Sequence, residues 1–147
     1  MKVDVQTEAV IDRRRAEVAT FAGDPTNAPR WYANIDSIEW KTPPPVGVGS
    51  RMAFVARFLG RRLEYTYEVT EFRPGELLVM RTSEGPFAME TTYAWSDAGE
   101  GKTRMRLRNR GEPRGFAGIA APVMSAAMRR ANLKDLQRLK QMLEQMA

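Results

Sequence analysis

The protein is a chain of 147 residues, 43% hydrophobic and 28% charged, with a formal net charge of +5, which suits one globular domain around a single core. It contains neither cysteine nor histidine. This excludes disulfides and thiol chemistry, removes the usual zinc, haem and blue-copper ligands, and leaves no Ser-His or Cys-His nucleophile pair.

Carboxylates, tyrosine, lysine, arginine and water are what remain for catalysis, and no metal or cofactor is expected. The first ten residues hold no apolar run of signal-peptide length, and no stretch approaches the roughly 20 apolar residues of a membrane span. A cytoplasmic protein without stable membrane insertion is expected.

Lys2 to Ile11 alternates, with Val3, Val5, Thr7 and Ala9 on one side, and predicts a half-buried strand. Asp12 stands where an N-cap would and predicts a short helix through Ala22. Gly23-Asp24-Pro25 stops that helix and restarts the chain, with Asp24 as cap and Pro25 in the first helical position. The restart ends at Arg30-Trp31-Tyr32. From Ile35 the pattern turns to period two. Ile35, Ile38 and Trp40 mark a second strand, and a Pro- and Gly-rich loop leads to Met52–Leu59. Leu63, Tyr65, Tyr67 and Val69 form the clearest alternation, followed across Pro74-Gly75 by Leu77–Thr82. Phe87 to Trp95 and Thr103 to Asn109 complete about six antiparallel strands.

The final third reads as one long helix from Ala121 to Met146. Met124, Met128, Ala131, Leu136, Leu139, Leu143 and Met146 recur at steps of mostly three or four. The N-terminal half of this stripe is alanine and methionine, which leave adaptable space, whereas the C-terminal half is leucine, which fills a tight seam. The plain reading is a core helix with a pliable end; the sharper one is that the soft half roofs a cavity. Strand, two short helices, antiparallel strands and a long helix make an α+β order.

That order resembles the helix-grip fold of the START-like (SRPBCC) superfamily, on the polyketide cyclase/dehydrase-like branch. The stretches that carry the resemblance are DPTNAPRWY at Asp24–Tyr32, YEVTEFRPGELLVMRT at Tyr67–Thr82, GPFAMETTYAW at Gly85–Trp95 and the terminal LKDLQRLKQMLE. It covers nearly the whole chain and implies a single START-like domain over residues 1–147. It further implies a curved antiparallel sheet gripping the C-terminal helix, with an apolar cavity between them for a hydrophobic small molecule such as a lipid or polyketide. It implies no reaction by itself.

Strand parity turns Phe54, Phe58, Tyr65, Tyr67, Val69, Phe87, Met89, Thr91, Tyr93, Trp95, Met105 and Leu107 inward. Unpaired buried hydroxyls cost roughly 1–3 kcal/mol each, so the tyrosines and Thr91 require partners, water or a ligand. These residues either fill a core or line a pocket. The pocket reading takes Trp31 and Tyr32 at the rim and Phe54, Phe58, Tyr65, Tyr67, Met89, Thr91, Tyr93 and Met105 from the sheet. Met124, Ala127, Met128 and Ala131 come from the helix.

A cyclase or aromatase of the same fold is the alternative. Without histidine, proton transfer would fall to Tyr65, Tyr67, Tyr93 or Glu71, assisted by Arg81. Whether Arg81 faces inward depends on the turn between Arg73 and Glu76: a three-residue loop aligns it with Tyr67, and a two- or four-residue loop sends it outward. Arg104, Arg106, Arg108 and Arg110 alternate onto the outer face, where Glu64, Glu68 and Glu90 also fall, and no aromatic residues interleave with them to stack bases. No nucleic-acid partner is therefore expected. Arg13-Arg14-Arg15 reads as a solvated helix start. A third reading uses the basic outer face on a membrane or protein surface. An exposed sheet edge would permit a homodimer.

Overall fold

Alternation of buried and exposed side chains generates the sheet of this computed structural model, which describes residues 2–114, 116 and 118–146. In β1 (Val3–Ile11), Val3, Val5, Thr7 and Ile11 are buried, Ala9 packs half-buried on the same face, and Asp4, Gln6, Glu8 and Val10 face water. The same period of two runs through β3 (Arg51–Phe58), β4 (Arg61–Arg73), β5 (Leu77–Glu84), β6 (Ala88–Asp97) and β7 (Thr103–Glu112). Between β1 and β3 lie α1 (Arg15–Ala22), a single 3-10 turn (Pro25–Asn27), α2 (Ala28–Trp31) and β2 (Ile35–Trp40).

The seven strands form one antiparallel sheet in the order β1-β7-β6-β5-β4-β3-β2. The chain thus meanders from β2 to β7, and β1 adds to the far side of β7. The last helix, α3 (Ala121–Gln145), packs along β1 and touches α2. This is the expected α+β helix-grip arrangement. Among the described residues no helix is long and apolar enough to cross a membrane.

Helix starts follow local chemistry in one case and not in the other. Asp24 caps the 3-10 turn, its carboxylate accepting the Thr26 N–H at 3.0 Å with Pro25 next in line. Asp12 does not cap α1, which begins at Arg15 with no side-chain cap. β1 runs on to Ile11 opposite Thr103, and the Asp12 N–H is donated to Glu144 of α3 at 2.8 Å. Arg13 is not simply solvated either. Its guanidinium donates to the Glu144 and Met146 carbonyls, closing the C-terminal end of α3 where carbonyls lack intrahelical partners.

Bulges decide which side chains point inward. In β2 one sits between Ile35 and Ser37, which is why the inward set Ile35, Ile38, Trp40 is spaced three and then two. In β4 another lies between Val69 and Glu71, so Val69 is buried, Glu71 is exposed and Phe72 turns back in. The turn from Arg73 to Leu77 is a three-residue loop, which alone would bring Arg81 inward. The bulge shifts the register by one residue beyond it. Arg81 pairs with Glu68, faces solvent and approaches Glu90 at 3.5 Å. Glu71 and Arg81 therefore lie outside the interior, and their candidacy for acid–base chemistry there falls.

Candidate functional site

The leucine half of α3 and its alanine-methionine half meet the sheet differently. Leu136, Leu139 and Leu143 are buried in one cluster with Ile11, Met105, Leu107 and Trp95. Met124 belongs to a second, smaller cluster with Val3, Phe87, Met89 and Phe116. Between the two lies a partly open cavity of about 140 Å³.

Its walls come from every layer of the fold. Phe54, Phe58, Tyr65 and Tyr67 line it from β3 and β4, Met89, Thr91 and Tyr93 from β6, and Met124, Met128 and Ala131 from α3. Tyr32 lines it from the connection after α2. Aromatic rings dominate: Tyr65 stands 5.1 Å from Tyr67, 5.0 Å from Phe87 and 5.5 Å from Phe54, centroid to centroid.

Three of the expected lining residues lie elsewhere. Trp31 is fully buried behind the wall, with its ring 4.2 Å from Tyr32 and 5.7 Å from Tyr93. It packs against wall residues rather than standing at a rim. Met105 is opposite Trp95 and beneath the leucine half of α3, where the seam closes. Ala127 is turned to an outer groove on the other side of α3, because one step along a helix rotates a side chain by about 100° from Met128.

The polar atoms of the cavity are organised. Thr91 Oγ1 donates to Asn109 Oδ1 at 2.5 Å, which spends its only proton, so the Tyr67 hydroxyl 2.8 Å away is the donor to Thr91. The Tyr32 and Tyr93 hydroxyls share one hydrogen bond at 2.6 Å, leaving one of their protons free for another acceptor. Burial, above all, pushes the phenols of Tyr32, Tyr65, Tyr67 and Tyr93 upward, that of Tyr67 to about 12 despite its bond to Thr91. At neutral pH all four are uncharged donors and acceptors rather than bases. The described residues that line the cavity include no carboxylate, lysine or arginine.

Two residues on α3 escaped the sequence reading. Asn132 lines the cavity, and Asp135, one turn on, is 2% exposed. Asp135 Oδ1 accepts the Ala33 N–H at 3.0 Å, tying α3 to the segment after α2, while its Oδ2 and Asn132 Nδ2 have no partner among the described residues. Burial raises the Asp135 carboxyl to about 6, against the opposing effects of the Ala33 bond and of Arg138. The available signal was helical phase: Asn132 and Asp135 fall four residues after Met128 and Ala131, on the apolar stripe.

On the outer face, Arg106 pairs with Glu8 at 3.3 Å, Arg108 with Asp4 at 2.6 Å and Arg110 with Glu90 at 2.8 Å. Two of these acids belong to β1, a neighbour of β7 that local pattern did not supply.

The sheet and helix agree closely with solved structures of low sequence similarity. A START superfamily protein from Mycobacterium smegmatis is 12% identical with a TM-score of 0.85, over 98% of this chain and 99% of that one. A protein from Thermus thermophilus is 21% identical with a TM-score of 0.80, over 95% and 96%. The Zhui aromatase/cyclase from a Streptomyces species is 14% identical with a TM-score of 0.78, over 98% and 94%. These likenesses show the fold. No protein of curated function matches the chain. The family model described as polyketide cyclase/dehydrase and lipid transport matches residues 2–144, and with the helix-grip fold around it the chain belongs to that family.

Proposed function

We propose that the protein binds an uncharged hydrophobic small molecule in the cavity between the sheet and the alanine-methionine half of α3. The observation that carries this reading is the wall itself: aromatic rings and methionines, interrupted by neutral hydroxyls and amides and by no charged group among the described lining residues. Such a surface suits a ligand with a large apolar body and a few hydrogen-bonding atoms. An anion or cation placed there would lose its hydration with no counter-charge to replace it.

The volume sets the scale. About 140 Å³ is close to the roughly 150 Å³ of an engineered cavity that accepts benzene, and below the roughly 300–1,000 Å³ of ordinary ligand pockets. A single ring fits as the cavity stands. A longer lipid or a polyketide requires Met124 and Met128 to change rotamer, which unbranched methionine does readily. Binding is favoured over cyclisation because a cyclase needs a base at the substrate. Arg81 and Glu71 face solvent, and the tyrosines are held in their protonated form.

The test is mass spectrometry of purified protein, native and then after denaturation and extraction, together with titration of a hydrophobic fluorophore. A stoichiometric neutral compound, or saturable fluorophore binding that Met128→Trp abolishes in a folded protein, is the expected result. Unchanged fluorophore affinity in the folded Trp variant would remove the ligand from this cavity.

A further inference from the structure

One wall of the cavity has an exposed groove on its other side. Asn34, Phe58 and Ala131 line both, so these side chains form a boundary that cavity and groove share. The rims of the groove are apolar and exposed: Leu59 is 48% and Val123 61% accessible. Leu59 occupies the β3–β4 hairpin tip with Gly60, at φ of 49° and 77°. Such two-residue turns favour asparagine or glycine, and a leucine there is disfavoured. Neither the turn nor the core accounts for a leucine at this place.

The charges beside the groove also differ from those on the outer face of β7. Arg130 and Lys134 line it and make no ion pair among the described residues. Its one described acidic lining residue, Asp135, is 2% exposed. The arginines of β7, by contrast, are matched by Asp4, Glu8 and Glu90. Unneutralised positive charge and exposed apolar side chains therefore coincide at the groove. Basic residues at headgroup level above apolar ones at the acyl boundary are what an anionic bilayer surface accommodates.

We propose that this groove docks the protein on an anionic lipid surface, and that ligand passes between bilayer and cavity through the wall of Asn34, Phe58 and Ala131. The passage rests on the binding reading above; the docking does not.

Co-sedimentation with phosphatidylcholine vesicles, with and without about one-third phosphatidylglycerol, tests the docking. Binding is expected only to the mixed vesicles and should fall at least tenfold when salt is raised to about 0.5 M. Arg130→Glu with Lys134→Glu should weaken it at least tenfold. Arg73→Glu with Lys102→Glu, two exposed residues elsewhere, takes the net charge from +5 to the same +1 and should leave most of it. Leu59→Asn should lose binding severalfold while melting no lower than the parent, since asparagine suits the turn.

Equal losses in the two charge-reversed pairs, undiminished binding by Leu59→Asn, or no binding to mixed vesicles would each overturn the docking. A hydrophobic fluorophore titrated without vesicles keeps the two readings apart. Unchanged uptake by the Arg130/Lys134 variant supports a surface role for those residues. A protein that docks but takes up no fluorophore overturns the passage and the binding reading, and leaves the docking standing.

Discussion

The hydroxyls of Tyr32 and Tyr93 meet at 2.6 Å, joining the segment after α2 to the middle of β6 at the cavity wall. Removing one partner leaves a buried hydroxyl unsatisfied, which costs more than removing both. Tyr93→Phe is expected to destabilise by about 1–3 kcal/mol, and the Tyr32→Phe/Tyr93→Phe double variant by less than the two singles together. Urea unfolding of the four proteins measures the coupling. Strict additivity would show that the pair contributes nothing as a pair.

Asp135 makes stability depend on pH in the direction opposite to most carboxylates. Its carboxyl is raised from 3.8 to about 6 in the folded protein, so folding favours the protonated form. The stabilisation is complete below about pH 4 and lost as pH rises through 6, with an upper size of about 3 kcal/mol. Asp4, held low chiefly by its bond to Arg108, and Glu144, held low chiefly by Lys140, act oppositely and lose their contribution only at more acid pH. Asp135→Asn should keep an acceptor for the Ala33 N–H and remove the decline between pH 4 and 6. Chemical denaturation at intervals across that window checks it; an unchanged slope in the variant would assign the decline elsewhere.

Gly111 is required by its neighbours as well as by its backbone. It lies at φ 141°, and a Cβ there would stand 2.1 Å from the Ala88 carbonyl oxygen and 2.9 Å from Met89 Cα. Backbone atoms on the adjacent strand cannot yield as a side-chain end does. Gly111→Ala should therefore destabilise by about 3 kcal/mol or more. Thermal unfolding measures it, with Gly99→Ala, whose Cβ would meet nothing within 4 Å, as a positive-φ comparison showing the smaller cost of conformation alone.

The outer arginines should matter little to stability. Arg106 and Glu8 are each about half exposed, at 51% and 50%, so solvent and salt screen their attraction. Arg106→Gln is expected to cost below about 1 kcal/mol, and less in high salt. A larger loss by urea unfolding would mean that the ladder acts as a coupled network.

Much of this architecture was legible because its causes are local. Alternation at Leu63–Val69 and Phe87–Trp95 carries its own face assignment, and the stripe from Met124 to Leu143 carries its own helix. The alanine-methionine half of that stripe is where the cavity lies, while Trp31, Met105 and Ala127 stand outside it. Whether a buried residue reaches open space depends on how far apart sheet and helix are held, and no periodicity records that distance.

Register was less legible. A single bulge after Val69 turns Glu71 and Arg81 to solvent even though the loop after Arg73 has three residues, a length that by itself would face Arg81 inward. The acids opposite Arg106 and Arg108 lie in β1, about a hundred residues away along the chain.

The sequence by itself determined an α+β chain without histidine or cysteine, its strands, its long helix and its family resemblance, since these follow from composition and short-range period. Only the tertiary structure decided that four tyrosines converge around a cavity with no charged lining residue among those described, that Asp135 is buried beside Ala33, and that Leu59 and Val123 flank a basic groove. Those relationships are set by bulges, strand order and helix seating, which join residues far apart in the chain.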